Sequence, residues 1–283
     1  MMADSQLSVG GAIGYAWTLW RERARSIWGV LALASLAATV LLAGDLSNNQ
    51  QITLVGQLAA VVCQLMVQGA VFRLALADLH PGDPAFVPGP SGVQWRRMEW
   101  RLLGASLLAY LFLAIVVVLC AVVVLAVPIG ILINKGLPPT ALQDPAGLAS
   151  ILGTTGQASL VVLFFAAVAV VINFGFRLSL VGPTTADTGQ ISVLKTWPST
   201  KGQVSRIFVT LVAINLSPLL IGVSVVTAIA AADQPGLTTS TQLSPGAVMI
   251  SALVMGAMMG GFVAPMTAAA LAYYYRNLKG RTA

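Results

Sequence analysis

Charge is what this sequence has least of. Charged residues fill 8% of its 283 positions, against roughly a quarter in ordinary soluble domains. A water-facing surface of normal size cannot be built from so few. Histidine occurs once, as His80, which leaves no His-based metal centre and no paired nucleophile and base, so an enzyme is not expected. The two cysteines, Cys63 and Cys120, each fall inside an apolar run and read as small packing residues, not as redox or metal groups. Carboxylates number only nine, none of them within an apolar run. Ion-coupled carriers usually need one there.

What the chain has in abundance is hydrophobic surface, at 57% of residues. Six long apolar runs stand out: Ser26–Gly44, Ile52–Leu76, Leu102–Val127, Ala158–Leu180, Ile207–Ala232 and Ala247–Tyr275. Each is long enough for the approximately 17–25 residues that cross a hydrocarbon core of about 30 Å. Lipid offers no partner for backbone N–H and C=O groups, so each run must be helical. The expected fold is an all-α polytopic membrane protein in one domain, residues 1–283.

Basic residues set the expected orientation. Of the 15 lysines and arginines, all but Lys135 fall in the segments that a six-span chain with its N-terminus inside puts on the cytoplasmic face, while Asp45, Asp144 and Asp233 sit outside. The charges lie beside helix ends and form no basic arm, so anionic lipid is the expected partner and nucleic acid is not. The opening MMADSQLSVGG lacks the n- and h-regions of a cleaved signal peptide. A multi-pass protein of a bacterial inner membrane, both termini cytoplasmic, is therefore expected.

The stretch Ile191–Leu211 carries the design most compactly: an amphipathic run to Trp197, a bend expected at Pro198, a basic Thr200-Lys201-Gly202 step, then an apolar helix after Arg206. The same order appears at Trp17 and Trp20 on an expected surface helix Leu7–Arg25, and at Trp95 and Trp100 before the third span. Spans two, four and six end on Phe72-Arg73, Phe176-Arg177 and Tyr275-Arg276. These echoes predict three parallel pseudo-repeats, roughly 1–90, 91–182 and 183–283, each a hairpin preceded by a short interfacial helix. Arg73, Arg177 and Arg276, with Trp20, Trp95, Trp197 and Lys201, are the candidate headgroup contacts or depth anchors.

Within the spans, Gln57, Gln64 and Gln68 share one helical face with Thr53, which suits interhelical hydrogen bonding or, second, a polar pathway. Gly256 and Gly260 form the centre of a small-residue ridge for close helix packing. Asn215-Leu-Ser217-Pro218 and Pro265 are expected to interrupt the fifth and sixth spans, and the third is expected to end near Pro128. Asp78, His80 and Asp83 are spaced like metal ligands, yet Pro81, Gly82 and Pro84 make the stretch a turn, where Asp is ordinary. No metal or other cofactor is expected.

The run Phe176-Arg-Leu-Ser-Leu180, Pro183, Leu194-Lys-Thr-Trp197, Thr200-Lys201-Gly202 and Arg206-Ile-Phe208 resembles the membrane domain of glycerophosphoryl diester phosphodiesterases and related free-standing inner-membrane proteins. Ala16-Trp17-Thr-Leu-Trp20 and Tyr275-Arg276-Asn277-Leu278 extend the resemblance along the chain, whereas Pro198 departs from it. In that family the hydrolytic activity resides in a separate catalytic domain with His and acidic metal ligands, which these residues do not contain. The reading preferred on sequence is a non-catalytic protein that organises lipids or partner membrane proteins through its cytoplasmic rim. The alternative is a transporter or lipid carrier using the Gln face and the broken spans.

Overall fold

Six helices long and apolar enough to cross a membrane account for most of the chain, as a computed structural model shows. The structure describes residues 8–137, 145–194, 196–233 and 244–282. Leu7, Asp144 and Lys195, and the side chains of Asp233 and Arg281, lie outside the described residues. The elements are α1 (Val9–Arg23), α2 (Trp28–Leu46), α3 (Gln50–Leu76), α4 (Arg97–Asn134), α5 (Pro145–Leu178), α6 (Val181–Thr188), the single turn α7 (Thr196–Ser199), α8 (Val204–Asp233), α9 (Pro245–Met258) and α10 (Ala264–Thr282). Among the described residues every regular element is helical. The chain is a multi-pass membrane protein.

Contacts divide it into two compact units, Met1–Ala105 with Leu180–Ala283, and Ser106–Ser179. The second holds most of α4 and α5, whose apolar side chains, Leu111, Val118 and Phe165 among them, are exposed, as suits lipid. Inside α5, Gly153 sits at φ +63° and ψ −179° and breaks the helix. That conformation is essentially reserved for glycine.

The first unit is closely packed because small residues let its helices approach. A Cβ at Gly56 would come within 2.5 Å of the Leu41 backbone in α2. Gly256 and Gly260 press α9 and the following turn against Ser35, Thr39 and Ala34 of α2, where an added Cβ would overlap backbone. Phe72, Val67, Val71 and Leu76 of α3 form the core with Met266 and the alanines of α10.

The prolines behave differently from expectation. α4 runs straight through Pro128 to Asn134, and α8 through Pro218, so neither span ends or breaks there. Membrane helices tolerate proline because neighbouring groups satisfy what it frees. Pro265 is the exception: just before it the chain makes a π-helical turn, Met259–Val263. Lacking an N–H, Pro265 cannot serve the carbonyl four residues back, that of Gly261, and the Trp20 indole donates to it instead at 3.0 Å. Near Trp197 the break also moves. Pro198 lies within the turn α7, and the chain bends at Thr200–Gln203, where Gly202 has φ +77°.

The tryptophan-bearing segments take three forms. α1 is a helix with Ser8 as N-cap, burying Ala12 and Ala16 while Trp17 stays exposed. The Trp95 segment is non-helical until Arg97, and Trp197 occupies the single turn α7.

Candidate functional site

The ion pairs found among the described residues gather where the C-terminal ends of α3 and α10, the short α6 and the N-terminal end of α4 meet. At 38 residues, α4 is about 57 Å long at 1.5 Å per residue, far more than a hydrocarbon core of about 30 Å needs. Its first turn therefore has room to stand clear of the apolar layer.

Glu99 organises that first turn. Its Oε2 accepts the backbone N–H of Arg96 at 2.8 Å, the reach-back half of a helix capping box. The same carboxylate pairs with Arg73 from α3: Nη1 lies 2.6 Å from Oε1 and Nη2 donates to Oε2 at 3.0 Å. Both side chains are sealed from solvent, at 1% and 0% exposure. Arg73 Nε donates to the Ala85 carbonyl at 3.1 Å. Gly69 makes the room, since a Cβ there would overlap the Glu99 carboxylate. Of the two roles expected of Arg73, headgroup contact or depth anchor, the first is closed to it, because the guanidinium is buried against Glu99.

A second cluster centres on Asp187 of α6, whose side chain is 2% exposed. It accepts from His80 Nε2 at 2.8 Å, from the Tyr275 hydroxyl at 2.5 Å and from Lys279 Nζ at 2.7 Å. One carboxylate thus ties the turn after α3 and the end of α10 to α6. His80 also stacks on Phe86, centroids 4.2 Å apart.

Arg276 closes a third. Its Nη1 donates to the Ala75 carbonyl at 2.8 Å and to the Tyr15 hydroxyl at 3.1 Å, and its Nη2 lies 3.3 Å from Asp78 Oδ2. It caps the end of α3 and holds α1 against it. Asp78 answers Arg276. Asp78, His80 and Asp83 therefore part company, for Asp83 accepts the Ala85 N–H at 2.8 Å as the cap of a short 3₁₀ turn.

Between these clusters lies a half-open cavity of about 450 Å³. Arg96, Arg97 and Arg101 line it together with His80, Asp83 and Thr185. All three arginines are exposed, and none forms an ion pair among the described residues. Arg97 and Arg101 are one helical turn apart and share a face. Gly189, which ends α6 at φ +62°, leaves the space taken by Arg101: a Cβ there would be 2.8 Å from Nη1.

The other candidates are scattered. Arg177 is partly exposed, and its Nε donates to Asn173 Oδ1 at 3.4 Å within α5. Trp20 is drawn inward by Gly261 and stacks against Trp17 at 5.5 Å. Trp95 meets Trp100 edge-on at 5.4 Å, and Trp197 is partly buried. Lys201 is exposed in the turn before α8. Gln57 and Gln64 are exposed and Gln68 partly so, and none of the three amides bonds to another described residue. The interhelical bonding expected of them is absent within the described chain.

Sequence reasoning passed over Asp187 and gave Glu99 no role. A usable signal existed in their rarity: with nine carboxylates in the chain, one next to an apolar run asks for a partner. Compared with protein-family models, with curated proteins and with solved structures, the chain matches none.

Proposed function

We propose that this is a non-catalytic protein of a bacterial inner membrane, both termini cytoplasmic, that gathers anionic lipids, and with them partner membrane proteins, at its basic end. The observation that carries the reading is the set Arg96, Arg97 and Arg101, three exposed guanidinium groups with no carboxylate partner among the described residues. Arg73 and Arg276 have carboxylate partners, so the lipid-facing charge of this end is carried by the three at the start of α4, with the exposed Arg21, Arg23, Arg25 and Lys201. Guanidinium groups at a headgroup surface bind phosphate bidentately, and tryptophans such as the exposed Trp100 favour the same depth. We read the three hairpins as pseudo-repeats with their tryptophan segments at the inner surface.

The test is the lipid that stays with the purified protein. Replacing Arg96, Arg97 and Arg101 together by Gln should weaken anionic lipid retention roughly a hundredfold, at about 1 kcal/mol per basic residue near the surface. The triple Lys variant should keep part of it. Native mass spectrometry with unchanged anionic lipid in the Gln variant would refute the proposal.

Orientation is checked separately. Single cysteines placed at Asp144 and Lys279, in a background free of Cys63 and Cys120, should be labelled from outside intact spheroplasts at 144 and not at 279. The reverse pattern would overturn the inside assignment. A carrier is the second reading, favoured by the exposed amides of Gln57 and Gln64, unbonded among the described residues, within the second span.

A further inference from the structure

The cavity beside the α4 arginines has features that a merely solvated rim does not need. Thr185 lines it, is 1% exposed, and its Oγ1 has no hydrogen-bond partner. A buried hydroxyl left unpaired is costly, and native structures keep few of them. Arg97 and Arg101 are like charges one turn apart, a mildly unfavourable pair without an anion between them. The acids nearby do not answer them. Glu99 is committed to Arg73 and Asp187 to His80 and Lys279. Asp83 is exposed and turned to the Ala85 N–H. The cavity, about 450 Å³, is of the size that holds small ligands, roughly 300–1,000 Å³, and larger than a bare inorganic anion requires.

We infer that this cavity is a specific site for one phosphate ester, its phosphoryl oxygens held by Arg96, Arg97 and Arg101 and by the Thr185 hydroxyl. The guanidinium groups supply charge and forked donors, and Thr185 supplies the one uncharged donor that a diffuse lipid annulus would not use. The ester is either an anionic phospholipid headgroup or its water-soluble counterpart; the donor set recognises the chemistry common to both. This rests on the basic-end reading above but goes beyond it, from an enriched lipid layer to a single saturable place.

The full chain, purified in detergent, is titrated calorimetrically with dihexanoyl phosphatidic acid and, separately, with glycerol 3-phosphate. At least one should bind saturably with a stoichiometry of one. Arg101→Gln should weaken that binding about tenfold or more, and Arg101→Lys less. Thr185→Val should weaken it about threefold to tenfold, and should raise the thermal midpoint of the ligand-free protein because the unpaired hydroxyl is gone. Binding of the lipid alone assigns the site to a headgroup; binding of both with similar affinity assigns it to the soluble ester. Absence of saturable binding, or saturable binding indifferent to either Arg101→Gln or Thr185→Val, overturns the inference. The two proposals fail separately. Anionic lipid retained through the arginines, without a Thr185-dependent saturable site, removes this one alone. A saturable Thr185-dependent site without arginine-dependent retention removes the other alone.

Discussion

Glu99→Gln should be among the most damaging single substitutions in the chain, at about 3–5 kcal/mol, the cost of breaking a buried ion pair from one side. Gln fills the same space but leaves the Arg73 guanidinium charged at 1% exposure. It also weakens the cap on the Arg96 N–H, which Glu99 now holds at 2.8 Å. Arg73→Met should be similarly harmful, because it strands the carboxylate. The double variant Arg73→Met, Glu99→Leu should recover most of the loss, since a buried pair is frequently replaceable by apolar side chains of like volume. Thermal unfolding in detergent, followed by loss of helical circular dichroism, gives the comparison. A Glu99→Gln protein within about 1 kcal/mol of the parent would mean that the pair is not as sealed as its geometry implies.

The second large effect is expected at Asp187. Asp187→Asn removes the charge that Lys279 faces and turns an amide N–H₂ toward one set of donors, although Tyr275, Lys279 and His80 all need an acceptor there. Lys279 is 47% exposed and can rehydrate, so its pairing contributes little. The loss falls on the Tyr275 and His80 bonds and should reach about 2 kcal/mol, a factor of about thirty in local opening. Amide hydrogen exchange should quicken in two places distant in sequence, residues 77–83 and the last turns of α10, while α2 and α9 keep their protection. Unchanged exchange at 77–83 would show that His80 is held by its stacking on Phe86 and not by Asp187.

Both effects involve residues that carried little signal along the chain. Arg73 looked like a headgroup contact or a depth anchor because it follows Phe72 at the end of an apolar run. Its partner, Glu99, belongs to another helix, and the pairing depends on Gly69 leaving a gap. Asp78 lies five residues after Arg73, but α10 brings Arg276 to it. Prolines misled for a related reason. Pro128 and Pro218 lie in helices that continue through them, whereas Pro265 follows a π-helical turn and the carbonyl four residues before it, at Gly261, is answered by Trp20 from the opposite end of the sequence. A proline's missing N–H is local, and what replaces the bond is not.

By itself the sequence determined the class of molecule, the number and approximate limits of its spans and the concentration of basic residues beside particular helix ends. Those properties answer to the bilayer, a solvent that acts on each segment separately, so hydropathy and composition read locally are sufficient. Only the tertiary structure decided which arginines are spent on carboxylates and which stay open. Arg73 and Arg276 are paired, while Arg96, Arg97 and Arg101 form no ion pair among the described residues and border a cavity with the unbonded hydroxyl of Thr185. Charge pairing is a property of distances between helix ends, and those distances are set by how closely small residues such as Gly69 and Gly260 allow the helices to approach.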